Sequence, residues 1–192
     1  VNDTAMTGTW RDSYPYSANS SFALNPIYAD LELIGIPSDR KFLSYAEKER
    51  KALNALPAID YERVSRLKND YLNHLYTELG EKCLHSREFK RFFAANHHWL
   101  EPYALYCYLR DKYGTADFHK WKESEYSPAL LKKYCTPGND RYREISKHYF
   151  IQFHLDRQLG DVKKYANRKG ILLKGDIPIG VNRHSCDVWI HP

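Results

Sequence analysis

The stretch from about Arg141 to Arg168 most constrains this chain. Tyr142, Ile145, Tyr149, Phe153 and Leu155 supply the apolar positions of a single long amphipathic helix. Gly170 is suited to stop it. The run Ile171-Leu172-Leu173 then reads as a buried strand, ending on Asp176 between Gly175 and Pro178, both poor continuers of a strand. Helix, short turn, strand and polar loop make one unit of a βα-type fold. A carboxylate at the C-terminal end of a parallel strand is where α/β barrels place their chemistry. One strand cannot close a barrel, so the predicted fold class is mainly α-helical, with one or two short strands.

The rest divides into zones. Residues 37–138 read as helical. Ser38 is expected to cap a helix running to about Leu56, stopped by Pro57, and Asp60 to cap the next. In that second helix Val64, Leu67, Tyr71, Leu75 and Leu79 form an apolar stripe, with Gly80 as its stop. Ser86 opens a third helix with Phe89, Phe92 and Phe93. Pro102 fits the first turn of a fourth, which makes Glu101 a first-turn acid, and Gly114 ends it. Ser127-Pro128 signals a short fifth. Residues 139–192 hold the long helix, the strand and the loop after it.

Residues 1–36 carry no helical period and read as a long ordered loop. Order follows from Trp10, Tyr14, Tyr16, Phe22, Leu24, Ile27 and Tyr28, which are expected to be buried. Within the loop, Tyr14-Pro15-Tyr16 makes a stiff turn with two aromatic faces. Ser13 and Asn25 add hydrogen-bonding groups beside them. Sugars are bound by aromatic faces against their C–H surfaces, with polar groups taking the hydroxyls. Residue types alone fit such a site and equally fit a hydrophobic plug.

Composition removes several classes. The net charge of +5 is modest, and basic residues alternate with acids, as in Glu47-Lys48-Glu49-Arg50-Lys51. That is the pattern of solvated helix faces, so no nucleic-acid partner is expected. No run of 18 apolar residues exists, so no membrane partner is expected. Cys83, Cys107, Cys135 and Cys186 lack paired zinc-type spacing. Cys107, in an apolar helix, reads as a core residue. Scattered cysteines without a leader pattern predict a cytoplasmic, reducing location. His97 and His98 are neighbours, so on a helix they point about 100° apart and cannot share one ion. No metal or cofactor is expected. The absent initiator Met and the last residues, His191-Pro192, give both ends the look of a fragment.

Three blocks, in order, carry a family resemblance. The first is Asp12-Ser13-Tyr14-Pro15-Tyr16 through Ala23-Leu24-Asn25-Pro26. The second is Trp99-Leu100-Glu101-Pro102-Tyr103-Ala104-Leu105, continuing to Gly114 and Trp121. The third runs from Tyr149-Phe150-Ile151-Gln152-Phe153 through Gln158 and Tyr165-Ala166 to Gly175-Asp176-Ile177-Pro178-Ile179 and Ser185-Cys186-Asp187-Val188-Trp189. Together they resemble the 4-alpha-glucanotransferases (amylomaltases, or disproportionating enzymes) of glycoside hydrolase family 77. The likeness is nearest to the type that plants use in cytosolic maltose metabolism.

The resemblance implies that the chain derives from a (β/α)8 barrel with helical insertions. Residues 1–36 would be a substrate-binding loop after barrel strand two, 37–138 a helical insertion, and 139–192 the helix, strand three and its following loop. It implies a retaining transfer of α-1,4-glucan segments between maltooligosaccharides, in starch, glycogen or maltose metabolism. An Asp nucleophile and a Glu acid/base would lie ~5 Å apart. Both belong to later strands of the family, so this polypeptide alone is expected to be inactive, with no catalytic residue of its own and Asp176 in a supporting role. Ser13, Tyr14, Tyr16, Asn25, Asp176 and Ser185 are the implied substrate-binding residues, and Asp187-Val188-Trp189 is expected to lock its loop. The partners implied are maltooligosaccharides or α-1,4-glucans and the remainder of the same barrel, with self-association of the exposed strand expected. A helical interaction module without catalysis is the rival reading.

Overall fold

The computed structural model describes residues 2–175 and 180–192. Its first three long helices begin where a side chain satisfies the first free N–H groups. Helix α1, Arg40–Asn54, is capped by Asp39, whose Oδ1 accepts from the N–H groups of Lys41 (2.9 Å) and Phe42 (3.0 Å). The cap is therefore one residue later than Ser38. Ser38 instead gives its N–H and hydroxyl to Glu78 on the next helix, both at 2.9 Å. Helix α2, Tyr61–His85, is capped by Asp60 as expected, and Ser86 caps α3, Arg87–Tyr113, by accepting from the Phe89 N–H at 3.1 Å.

Two expected breaks do not occur. Helix α2 runs through Gly80, where a Cβ would come within 2.5 Å of the Tyr76 ring. The glycine serves ring packing on its own helix rather than termination. Pro102 lies inside α3, not at the start of another helix, and Glu101 is accordingly mid-helical. Proline removes one helical hydrogen bond. Burial of Leu100 and of every residue from Pro102 to Leu109 offsets that loss and keeps the axis continuous. Gly114 then ends the helix in the left-handed region, at φ 64°.

Helix α4, Pro128–Tyr134, starts at the Ser127-Pro128 signal. Helix α5, Tyr142–Arg168, agrees with the expected long helix to one residue, and Gly170 follows it at φ 73°. Helix α6, Cys186–Ile190, is a short element that periodicity does not signal. Short 3-10 turns at Trp10–Ser13 and Pro26–Tyr28 punctuate the first loop.

Helix α5 is the centre of the molecule. One of its sides packs on α3, where Tyr149 and Phe153 join Phe89, Phe92, Tyr106 and Trp189 in the larger core. Another packs on α2, where Phe150 and Ile151 meet Leu72 and Leu75. Each such side chain, fully buried, contributes about 1.5–3 kcal/mol. The chain is mainly helical, as its sequence predicts.

The buried strand is a correction. Ile171, Leu172 and Leu173 are exposed, Leu172 by 89%, and no strand is formed by residues 171–175. A strand exists only through its neighbours' hydrogen bonds, and no described element offers these residues an edge. The only β-type pairings among the described residues are isolated bridges, Asn2 with Leu24 and Ala18 with Val181.

Candidate sugar-binding surface

Local chemistry shapes the N-terminal loop. The Asp12 carboxylate accepts from the N–H groups of Met6, Thr7 and Gly8 and from the Thr7 hydroxyl, at 2.8 to 3.2 Å. One carboxylate thus winds residues 6–12 around itself. Thr9 caps the turn that follows, and the Trp10 N–H reaches Glu62 on α2 at 3.3 Å. The chain then projects as an arm. Tyr14 and Tyr16 pack edge to face, ring centroids 5.7 Å apart, and both rings are open to solvent, at 60% and 48%. Trp10 is equally open at 65%. Burial of these rings, and of Phe22 and Tyr28, was the sequence expectation, and the structure overturns it: they decorate the loop while polar contacts hold it.

The arm lies beside the segment 181–187. Ala18 bridges Val181 in parallel register, its carbonyl accepting from the Asn182 N–H at 3.1 Å. The Asn182 side chain donates to the Ser17 hydroxyl at 3.0 Å. Asp187 accepts from the N–H (2.8 Å) and hydroxyl (2.5 Å) of Ser21. Trp189 is buried and gives its indole N–H to the Glu123 carbonyl at 3.1 Å. Asp187 and Trp189 therefore fasten their loop, as expected of them.

Beneath the loop, polar groups are matched. Buried Asp3 accepts from the Asn19 amide (2.9 Å), the Ala5 N–H (2.9 Å) and the Tyr103 hydroxyl (3.0 Å). Burial raises its pKa, against the opposing pull of Arg110 and these donors. Burial would also raise the Glu123 carboxyl, but hydroxyls of Tyr134 and Tyr113 and the Lys112 ammonium bring it below the usual range. A cavity of about 580 Å³ separates the loop from α2, α3 and α5, with Thr4, Asn69, Arg110, Asp111 and Lys147 on its wall. Ser13 and Asn25 also line it. Among the described residues, no three His, Cys, Asp or Glu side chains converge as a metal site would require, and no helix is long and apolar enough to cross a membrane.

Comparison with known proteins then fixes the lineage. The profile of the 4-alpha-glucanotransferase family of glycoside hydrolases, Glyco_hydro_77, matches residues 1–192. The chain belongs to this family. It is 39% identical to 4-alpha-glucanotransferase DPE2 of Oryza sativa subsp. japonica, over all of this chain and 20% of that protein. It is 28% identical to a 4-alpha-glucanotransferase of Chlamydia muridarum, over all of this chain and 35% of that protein. An amylomaltase from Streptococcus agalactiae, solved in complex with acarbose, superposes with TM-score 0.75 at 22% identity, over 93% of this chain and 35% of that one. The chain thus spans between a fifth and about a third of the length of these relatives.

Within this family member, the residues singled out from sequence fall into separate environments. Ser13, Tyr14 and Tyr16 are together and exposed on the arm. Asn25 caps the Pro26–Tyr28 turn through its Oδ1 and donates to Thr4 at 3.1 Å, so its side chain is occupied structurally. Ser185 is wholly buried and caps α6, accepting from the Val188 N–H at 3.2 Å. A buried, capping hydroxyl cannot reach a ligand at the surface, which corrects the expectation of a substrate contact. Asp176 lies outside the described residues. Sequence reasoning missed Asn19 and Asn182, the polar residues that fasten the arm. The run Ser17-Ala18-Asn19-Ser20-Ser21 is small and polar, which reads as solvent-exposed loop until its partners from 182–187 are placed beside it.

Proposed function

We propose that this chain supplies part of the glucan-binding cleft of a 4-alpha-glucanotransferase, one that passes α-1,4-glucan segments between maltooligosaccharides by a retaining double displacement. The observation that carries the reading is the exposed Tyr14–Tyr16 pair, fastened beside segment 181–187 in a chain that matches the family along its whole length. Two rings at 64° to each other offer a sugar one face and one edge. The Ser13 hydroxyl, exposed next to them, adds a polar group. Asp176 would add a supporting carboxylate in this reading.

The reading assigns binding, not bond breaking, to this part of the polypeptide. Three carboxylates around the arm are already engaged: Asp3 and Asp12 by N–H groups and hydroxyls, and Asp187 by Ser21. A retaining pair must face one sugar from ~5 Å apart, and in this proposal those two groups come from beyond residues 1–192. The remaining strands of a (β/α)8 barrel would cover Ile171, Leu172 and Leu173, whose exposure otherwise favours self-association. Residues 1–36 would then be the binding loop, 37–138 a helical insertion, and 139–192 a barrel unit, in a cytoplasmic protein.

Titration with maltohexaose, followed by Tyr and Trp fluorescence, tests the proposal. Saturable binding is expected, together with no release of glucose from maltotriose by this chain. Replacing Tyr14 or Tyr16 by Ala should weaken binding by about tenfold, the worth of one aromatic contact, while changing stability by under about 0.5 kcal/mol, as for exposed positions generally. Unchanged affinity in both variants would refute the assignment of the arm. Binding to a protein partner without any response to sugar would favour a helical interaction module.

A further inference from the structure

The Tyr14–Tyr16 arm has little structure of its own. Its backbone makes two turn bonds, Tyr14 N–H to the Arg11 carbonyl at 3.3 Å and Ser17 N–H to the Tyr14 carbonyl at 3.2 Å. Pro15 has no N–H to give. The direction of the arm must come from the residues that follow it.

Those residues are tied at every polar position. Asn19 is 0% exposed. Its Nδ2 donates to Asp3 Oδ2 at 2.9 Å, and its Oδ1 accepts from the Cys186 N–H at 3.1 Å. Its own N–H donates to the Asp3 carbonyl at 2.7 Å, and its carbonyl accepts from the same Cys186 N–H at 3.0 Å. Asp3 is in turn fixed to α3 by the Tyr103 hydroxyl. Two residues before Asn19, the Ser17 hydroxyl accepts from Asn182. One side chain therefore joins three stretches distant in sequence, residues 2–5, 17–21 and 182–189. A buried amide with either end unmatched is strongly disfavoured, so the joint has one arrangement rather than several.

We infer that Asn19 and Ser17 are positioning residues, which set the Tyr14–Tyr16 arm against segment 181–187, Asn19 through Asp3 and Cys186 and Ser17 through Asn182, without touching the sugar. This deepens the glucan-binding reading and rests on it for the effect on affinity. The placement of the arm itself can be measured without sugar.

The test uses the chain with Asn19→Asp, with the swapped pair Asp3→Asn/Asn19→Asp, and with Ser17→Ala. Asn19→Asp keeps the acceptor for the Cys186 N–H but sets an oxygen against Asp3 where the donor stood. The swap restores a donor from the other side. Maltohexaose affinity should fall about tenfold in Asn19→Asp and return to within about threefold of the parent in the swap, the span of one hydrogen bond to a charged group. A role in stability alone would lower the unfolding midpoint and leave affinity unchanged in the folded variant, and that result overturns the inference. Should Asn19→Asp not fold, Ser17→Ala decides: a loss of about threefold supports the inference and an unchanged affinity overturns it. Should the parent chain not bind maltohexaose, the glucan reading fails while this inference is still judged by amide hydrogen exchange. Faster exchange across residues 14–21 and 182–186 in Asn19→Asp or Ser17→Ala, with residues 145–155 of α5 unchanged, supports it. Equal exchange in those segments overturns it.

Discussion

The N-terminal loop and the bundle of α2, α3 and α5 draw on the same aromatic residues and turn them in opposite directions. In the bundle Tyr106, Tyr149 and Phe150 are buried, and rings meet rings across helices, as Phe150 meets Tyr76 at 5.5 Å. In the loop Trp10, Tyr14, Tyr16 and Tyr28 are exposed, and the order comes from hydrogen bonds to Asp3, Asp12 and Asn19. Gln152 and Gln158 of α5 join the two regions. Each amide both accepts from and donates to one loop residue, Leu24 and Asp30 respectively, at 2.8 to 2.9 Å. A helix cannot pair with an extended chain through its own backbone, because its N–H and C=O groups are already used. Two glutamines six positions apart supply the missing donors and acceptors. Hydrophobic burial is non-directional and serves where any close-packed arrangement is adequate. Hydrogen bonds specify direction, and they serve where rings must be held outward.

That contrast can be broken or sharpened by experiment. Its largest expected effect is in the bundle. Phe150→Ala should lower unfolding free energy by about 3–5 kcal/mol, measured by urea denaturation, and an effect below about 1 kcal/mol would show that the packing of α5 on α2 is not the main source of order. Next comes the joint between regions. Gln152→Met leaves the Leu24 N–H and carbonyl unmatched where they are half-buried, at about 2–4 kcal/mol for the two groups. Gln158→Met, more exposed, should cost under about 1 kcal/mol because water replaces the amide. Equal effects at the two sites would remove burial as the reason for the difference.

Gly80→Ala is expected to destabilise by about 1–3 kcal/mol through overpacking. A Cβ there would lie 2.5 Å from a Tyr76 ring whose hydroxyl is held to Ser146 at 2.7 Å. Helix propensity alone predicts the reverse sign, so thermal denaturation of this one variant separates the two effects.

Acid acts over a range of pH rather than at one substituted site. Burial, with Lys147 and Arg110 nearby and Asp111 opposing them, pushes the imidazole of His148 down to about 3. Burial, with Arg157, pushes His154 down to about 4. Both histidines are thus held neutral below their unfolded value of roughly 6.5. A depressed folded pKa gives stability that is present above about pH 6.5 and lost as pH falls toward the folded values, with a slope of at most about 1.4 kcal/mol per pH unit for each group. The first 36 residues contain no histidine, so acid should loosen the bundle in this range. His148→Gln should flatten the dependence of the urea midpoint between pH 6 and 4, and an unchanged slope would exclude His148 as its source.

Much of the helical frame was legible in the sequence, through side chains that act on their own neighbours. Asp60 and Ser86 cap the helices they precede, Gly114 and Gly170 turn the chain where they stand, and the apolar residues from Tyr142 to Leu155 mark the packed part of α5. Errors arose where a distant residue changed the outcome. Ser38 yields its capping place to Asp39 because Glu78 takes its donors. Pro102 and Gly80, both breakers by local rule, are carried through by burial and by the Tyr76 ring. Of the candidate site, the Ser13-Tyr14-Pro15-Tyr16 arm was legible as residues suited to sugar. The roles of Asn25 and Ser185 as caps were not, since a cap and a ligand contact use the same side-chain oxygen.

The sequence by itself determined which stretches are helical in the main, where most of those helices start, and which family the order of motifs belongs to, because caps, periodicity and motif order are properties of residues near one another in the chain. Only the tertiary structure decided that the loop's rings face outward, that Ile171 to Leu173 stand exposed outside any strand, and that Asn19 meets Cys186 across 167 positions. Those outcomes depend on which groups arrive from elsewhere to satisfy a donor or cover a surface, and no local pattern records that arrival.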